Sequence, residues 1–175
     1  QMDEGLDTGD VLLQRTLPIA ADDTAETLAP RLAALGGEAL AHGLDLLARG
    51  EAVPVRQDGA RATLAPILEK EHGRIDWTRP AAELANRLRG FSPWPGAWTT
   101  LEGRTLKVLV AAPGPAAPAS ASPGAAHKEP GRGLSVACGG GTSLLVARLQ
   151  AEGKAPQDAL AFLNGLRRNA FVLGT

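Results

Sequence analysis

The sequence predicts an α/β segment followed by a small β-barrel. One strand-like run and two helical stretches occupy the first 50 residues, whereas short strand-like runs dominate after residue 97. The charge also changes along the chain: residues 1–66 carry 5 Lys and Arg against 11 Asp and Glu, and residues 67–175 carry 13 against 8. This asymmetry favours two modules, the second with an anionic partner. Ordinary solvated surface charge is the alternative explanation.

The composition is that of a globular protein. The 175 residues are 44% hydrophobic and 21% charged, enough apolar material for one domain or two small ones. The single cysteine, Cys138, excludes an internal disulfide and fits a reducing cytosol. No apolar run approaches the roughly 20 residues that span a bilayer, and nothing resembles a signal peptide. We therefore expect a cytoplasmic protein with no membrane partner.

The first 50 residues predict a strand and two helices. Residues 11–19 form the strand, and Asp22 or Asp23 caps the first helix. Pro30 predicts a break or kink, and the glycine pair at 36 and 37 separates the two helices. The second helix ends at Gly50, because glycine favours the left-handed conformation found after a helix.

The remaining residues predict a linker and a β-rich domain, so the proposed domains are residues 1–50 and 75–175, joined by the linker 51–74. Thr78 caps a third helix, and its apolar face consists of Ala81, Leu84, Ala85 and Leu88. Pro, Gly, Ala and Ser make up residues 113–126, so a mobile loop is expected over 113–133. The predicted strands are residues 98–101, 105–112, 134–138 and 143–150, and a short helix covers 155–163.

The first ten residues, QMDEGLDTGD, have the character of an active-site loop. Three carboxylates, at positions 3, 4 and 7, stand around two glycines directly before the predicted strand. Acidic side chains in such a turn favour a functional loop over a solvated terminus. The alternative for Asp7 is that it only caps a turn before Thr8, as Asp often does.

Several segments together resemble the methionyl-tRNA formyltransferase family. The acidic loop is similar to the loop that closes the family's catalytic domain. Gly-Arg-Ile-Asp-Trp at 73–77 is similar to the start of its C-terminal domain, and Arg-Gly-Phe-Ser-Pro-Trp-Pro-Gly-Ala-Trp at 89–98 to its most recognisable internal motif. Residues 103–108, 149–154 and 162–165 resemble later segments. The Gly-Leu-Asp-Thr-Gly-Asp unit at 5–10 favours the tRNA enzyme over formyltransferases that act on sugar nucleotides or folate.

The resemblance implies a fold and a reaction. In that family a Rossmann-like domain binds 10-formyltetrahydrofolate, and a barrel resembling the OB fold helps to hold the acceptor arm of initiator Met-tRNA. The formyl group moves to the methionine α-amino group. By the resemblance, Asp7 completes a catalytic Asn/His/Asp set whose other members lie upstream, so we expect the isolated chain to be inactive. Asp3, Glu4 and Gly5 are candidate folate contacts.

The basic residues of the second half are candidates for contact with tRNA phosphates. Ile67 stands where a Lys is common in the family, which would remove one such contact. Trp77, Trp94 and Trp98 fit core packing better than stacking on unpaired nucleotides. The candidate tRNA-binding residues are Lys70, Arg74, Arg79, Arg87, Arg89, Arg104, Lys107, Lys154, Arg167 and Arg168.

The sequence indicates no metal site and is compatible with two other functions. No metal-ligand spacing occurs, and His42, His72 and His127 are expected at the surface. Two alternative functions stay open: a formyltransferase for a sugar nucleotide or another amine, and a non-enzymatic module that binds tRNA or protein. Initiator Met-tRNA is the implied partner, no protein partner is implied, and a monomer is expected.

Overall fold

The computed structural model describes residues 2–166 and 170–175 in two units, Gln1–Ile67 and Leu68–Thr175. None of the described helices is long and apolar enough to cross a membrane. The division into domains 1–50 and 75–175 stays a prediction.

The helices are α1 (Ala25–Arg49), α2 (Ala81–Gly90) and α3 (Ala159–Gly165), with 3₁₀ turns at Gly59–Arg61 and Lys70–Gly73. The strands are β1 (Ala97–Leu101), β2 (Arg104–Pro113), β3 (Ala125–Glu129), β4 (Gly133–Ala137), β5 (Ser143–Ala151), β6 (Gln157–Asp158) and β7 (Ala170–Val172).

The first unit is built around the long helix α1. The Thr24 hydroxyl accepts a hydrogen bond from the Thr27 N–H (3.2 Å), and the Thr27 hydroxyl accepts one from the Thr24 N–H (2.9 Å). This reciprocal pair caps the helix, so the predicted aspartate cap is wrong by one or two residues. Gly50 ends the helix in the left-handed conformation, with φ 71, as predicted.

Two other predictions for this unit are wrong. The two predicted helices are one, and Pro30 and the glycine pair lie inside it. Residues 11–19 do not form a strand: Val11 pairs with Val55 in an isolated antiparallel bridge, with both N···O distances 2.9 Å. A strand needs a neighbour along its length to satisfy its backbone groups, and the described residues of this unit supply one only at Val11.

Helix α2 forms as predicted and supplies part of the core of the second unit. Ala81, Leu84, Ala85 and Leu88 are all buried. The N-cap position is Pro80, whereas the Thr78 hydroxyl donates to the carboxylate of Asp76 (2.6 Å). The helix was therefore predictable from its apolar period, but its cap was not.

The strands form one curled antiparallel sheet, in the order β1-β2-β5-β4-β3-β7, with β6 paired to β5. The residues after β7 join the sheet's two ends: the Gly174 N–H donates to the Thr100 carbonyl (2.8 Å), and the Gly103 N–H donates to the Thr175 carbonyl (3.1 Å). This half-barrel is consistent with the predicted small barrel. Its fully buried aliphatic side chains are Leu106, Leu134, Val136, Leu144, Val146 and Leu149.

The strands predicted at 98–101, 105–112, 134–138 and 143–150 are confirmed within one or two residues. The predicted loop 113–133 is wrong at 125–129, which form β3, because β4 and β7 pair with it on both sides. Helix α3 begins at Ala159 rather than at residue 155.

Candidate functional site

The acidic loop of the first unit is organised around Asp3. Its Oδ1 accepts hydrogen bonds from the Gly5 N–H (3.0 Å) and from the Thr8 hydroxyl (2.6 Å). Glu4 is exposed. The carboxylate that holds the turn before Thr8 is therefore that of Asp3, which was predicted as a folate contact, and not that of Asp7.

Asp7 itself has an unusual backbone conformation. Its φ of 55 lies in the left-handed region, which residues other than glycine seldom adopt. The side-chain amide of Gln57 donates to the Asp7 carbonyl (2.9 Å) and to the Gly9 carbonyl (2.7 Å). The hydrogen bonds found among the described residues do not engage the Asp7 carboxylate, which is exposed. The geometry thus fixes the backbone and leaves the carboxylate available, a role for Gln57 that the sequence did not indicate.

In the second unit, three side chains form a row across β1, β2 and β5. The strand register pairs Lys107 with Trp98 on one side and with Gln150 on the other. Directly paired residues lie on the same face of an antiparallel sheet. Leu106 and Val108, the neighbours of Lys107 in the chain, are buried on the opposite face. Lys107 therefore projects outward between an aromatic ring and an amide.

Two further predicted cations lie beside Trp98. The Arg74 guanidinium is 5.9 Å from the centroid of the Trp98 ring, and the Trp98 Nε1–H donates to the Lys70 carbonyl (3.1 Å). The structure thus brings together Arg74, Lys70 and Lys107. A cavity of about 380 Å³ opens here. We call it the Trp94 cleft, and its walls include Lys70, Trp94, Trp98, Lys107 and Gln150.

Arg79 is placed differently, because two carboxylates of its own unit engage it. Its Nε lies 3.4 Å from Asp76, and its Nη1 pairs with Glu83. The pKa of Arg79 lies above its usual value. The largest cause is its hydrogen bond with Glu83, and the charge of Glu83 and the interaction with Asp76 act in the same direction. Its charge is already compensated, which favours a structural role.

Arg87 and Arg89 also make contacts within the second unit. Arg87 donates to the His72 carbonyl (3.1 Å) and lies over the Phe91 ring, 4.8 Å from its centroid. Arg89 donates to Asn86 Oδ1 (3.1 Å). Both arginines are half-buried, so their side chains have less surface to offer a ligand than those at the Trp94 cleft.

The remaining predicted cations lie near the turns that end the sheet. Arg104 and Lys154 are both exposed, and Arg104 Nε is 4.0 Å from Glu152. The Lys154 carbonyl accepts a hydrogen bond from Gln150 Nε2 (2.8 Å). Arg167 and Arg168 lie outside the described residues.

Trp77 and Trp94 have opposite environments. Trp77 is a core residue, 6% exposed, and its Nε1–H donates to the Thr99 hydroxyl (3.1 Å), as core packing predicted. Trp94 is 60% exposed, so the expectation that it packs in the core is wrong. The prolines on both sides of Trp94 are typical of a surface turn, and this pattern in the sequence could have predicted that Trp94 is exposed.

Two other kinds of site find no support among residues 2–166 and 170–175. No group of three or more His, Cys, Asp or Glu side chains in these ranges is arranged to hold a metal ion. Cys138 is buried, and burial raises the pKa of its thiol to about 11. Since the thiolate is the reactive form, Cys138 is not a nucleophile at neutral pH.

Comparisons with known proteins place both units in one family. Residues 67–167 match the family model described as formyl transferase, C-terminal domain, and residues 1–44 match the model described as formyl transferase. The methionyl-tRNA formyltransferase of Anaeromyxobacter sp. (strain K) is 70% identical over 176 residues, a match to 100% of this chain and 56% of that protein. That of Myxococcus xanthus (strain DK1622) is 50% identical over 164 residues, covering 94% of this chain and 51% of that protein. The chain thus spans about half the length of these curated relatives.

Among solved structures, HypX from Aquifex aeolicus has a similar fold. A variant of HypX aligns with a TM-score of 0.59 at 20% identity, covering 93% of this chain and 30% of HypX. HypX in complex with tetrahydrofolic acid aligns with a TM-score of 0.59 at 19% identity, covering 92% of this chain and 28% of HypX. At such identity the likeness concerns the fold alone.

Proposed function

Because this chain belongs to the formyl transferase family, we propose that the protein is a methionyl-tRNA formyltransferase, which transfers a formyl group from 10-formyltetrahydrofolate to the α-amino group of initiator Met-tRNA. The observation that carries the proposal is the 70% identity with a curated methionyl-tRNA formyltransferase over the whole of this chain. That identity favours the tRNA substrate over a sugar nucleotide or another amine.

In this proposal Asp7 is a catalytic residue. The acceptor amine must lose its proton before it attacks the formyl carbon, and the carbonyl oxygen becomes negative as the new bond forms. A carboxylate can hold a neighbouring base in the protonation state that accepts this proton. The exposed carboxylate of Asp7 suits that role, and its left-handed backbone is the kind of strain that often accompanies active sites. Asp3 supports the loop, and Asp3, Glu4 and Gly5 remain the candidate contacts to folate.

The second unit provides the proposed tRNA surface. Lys70, Arg74 and Lys107 lie together around Trp98, and contacts of such cations with phosphates position a nucleic acid without reading its sequence. Arg104 and Lys154 extend the surface, whereas Arg79, Arg87 and Arg89 support the fold. We further propose that the half-barrel corresponds to the OB-like domain of the family, that residues 1–50 end a Rossmann-like domain, and that the protein acts as a cytoplasmic monomer.

The proposal can be tested in a hybrid enzyme, in which this chain replaces the matching residues of the Anaeromyxobacter sp. (strain K) relative. We expect the hybrid to formylate Met-tRNA. Asp7→Asn should lower kcat by roughly 10²- to 10⁴-fold, the usual contribution of acid–base assistance, with the KM for Met-tRNA unchanged. Lys70→Gln combined with Lys107→Gln should raise that KM about tenfold, because two phosphate contacts are lost, with kcat little changed.

Two matched variants serve as controls. Asp22→Asn removes an exposed carboxylate outside the acidic loop, and Arg132→Gln removes an exposed cation that does not line the Trp94 cleft. Neither should change kcat or KM. A hybrid that does not formylate Met-tRNA would contradict the proposed reaction. Full kcat in Asp7→Asn would remove Asp7 from the catalytic set.

A further inference from the structure

We propose that the Trp94 cleft binds one unpaired nucleotide of an RNA ligand, with the base stacked on Trp94 and the adjoining phosphate held by Lys107 and Lys70. This inference rests on the proposed function, since it specifies how the tRNA surface would engage its substrate. It adds a base-binding site to a surface otherwise described by its charge.

Trp94 is the side chain that makes the cleft a stacking site. Trp94 is 60% exposed, whereas Trp77 is buried and the ring of Trp98 already faces the Arg74 guanidinium. Aromatic side chains accessible to solvent are the platforms on which proteins stack unpaired bases. The exposed part of Trp94, which lies in the wall of the cleft, therefore offers apolar surface to a base.

The charges around the cleft suit a phosphate. Lys70 and Lys107 line it, and its described lining residues include no carboxylate. Glu152 lies in the adjacent hollow, where one of its oxygens accepts a hydrogen bond from the Thr105 N–H (3.2 Å). An anion bound at Lys107 inside the cleft is therefore close to two lysine ammonium groups, whereas Glu152 lies outside the cleft. This charge distribution favours a nucleic acid over an acidic or purely apolar partner.

The dimensions and polar groups fit a single nucleotide. The cavity of about 380 Å³ lies within the range of small-molecule pockets, roughly 300–1,000 Å³. The side-chain amide of Gln150 donates one N–H to the Lys154 carbonyl. Its oxygen and its second N–H can therefore form hydrogen bonds with the edge of a base. A base inside a duplex has both faces stacked on its neighbours, so Trp94 can stack on an unpaired base but not on a base in the interior of a duplex.

The test compares a single-stranded oligoadenylate with a blunt RNA duplex of equal length, each titrated with the full chain by fluorescence anisotropy. Trp94→Ala should weaken binding of the single strand about tenfold, as expected for the loss of one base–aromatic stack, without changing duplex binding. Trp94→Phe should retain most of the affinity. Lys107→Gln should reduce the salt slope for the single strand by about 0.7, and Trp94→Ala should not alter that slope. Arg132→Gln is the control for charge.

The outcomes separate this inference from the proposed tRNA surface. If salt-dependent RNA binding persists and Trp94→Ala does not affect it, the stacking site is refuted and the basic surface stands. If Trp94→Ala weakens single strand and duplex equally, the stacking site is also refuted. Absence of RNA binding even at low salt would overturn both. A dimer that dissociates in Trp94→Ala, detected by sedimentation, would identify a second copy of the chain as the occupant and refute the inference.

Discussion

At the scale of single residues, Gln57 fixes the backbone on which Asp7 stands. Its amide bridges the carbonyls of Asp7 and Gly9, and it lies about fifty positions along the chain from both. We expect Gln57→Ala to raise the hydrogen-exchange rate of residues 2–10 by up to about thirtyfold, because two hydrogen bonds are lost and each contributes about 1 kcal/mol. Exchange resolved by peptide and mass spectrometry measures this effect.

A matched variant separates the lost bonds from the lost volume. Gln57→Glu keeps the size of the side chain but replaces the donor with a carboxylate, so it should loosen the loop at least as much as alanine does. Exchange in helix α1 should not change in either variant. Unchanged exchange over residues 2–10 in both variants would show that Gln57 does not hold the loop.

The residues also show what sequence reasoning could and could not assign. Lys107 was predicted as a tRNA contact, and its outward direction follows from buried neighbours on both sides in the chain. The core position of Trp77 was predicted, whereas the exposure of Trp94 was missed although the prolines on both sides of it indicate a turn. Gln150 was missed because its place beside Lys107 follows from the register of β5 against β2.

At the scale of secondary structure, helix α1 continues through glycines that predicted a break. Its caps at Thr24 and Gly50 define both ends, and Pro30 lies inside the helix near its beginning, where the loss of its N–H does not end the helix. A Cβ added at Gly36 or Gly37 would meet no atom within 4 Å. We expect Gly36→Ala with Gly37→Ala to stabilise the helix by up to about 2 kcal/mol, since alanine exceeds glycine in helix propensity by about 1 kcal/mol per residue.

The helical signal in far-ultraviolet circular dichroism during thermal unfolding measures this gain. Gly50→Ala is the opposite control: its φ of 71 disfavours a side chain, so this change should weaken the end of the helix. A double alanine variant no more stable than the parent would indicate that α1 is interrupted at the glycine pair in solution.

A predicted strand was confirmed where the fold supplies neighbouring strands that pair with it, and it was wrong where the fold supplies none. Residues 105–112 alternate in burial and pair on both sides, with β1 and β5, and the sequence pattern found them. Residues 11–19 have a comparable apolar pattern but almost no pairing, and no strand forms there. Residues 125–129 follow a segment of small residues and prolines, yet β4 and β7 make them a strand.

At the scale of the whole molecule, the two units differ in how much of their apolar surface they bury. Helix α1 has no buried residue, and the apolar face formed by Leu40, Leu44 and Leu47 is at least half exposed. In the second unit, β4 is buried along its entire length. We therefore expect α1 to exchange its amide hydrogens at least tenfold faster than β4, because protection reflects the free energy of local opening.

Hydrogen exchange of the full chain at neutral pH would measure this difference, with unfolded chain as the reference for intrinsic rates. Equal protection in α1 and β4 would mean that the first unit gains stability from contacts beyond its own residues.

The sequence by itself determined the family, the opposite net charges of the two halves, the apolar face of α2 and most strands of the half-barrel. These features depend on local periodicity and on motifs whose residues are close together in the chain. Tertiary structure alone decided the strand at 125–129, the support of Asp7 by Gln57 and the Trp94 cleft. Each of these depends on groups distant in the sequence, and backbone pairing and burial gain their free energy only after the fold has brought those groups together.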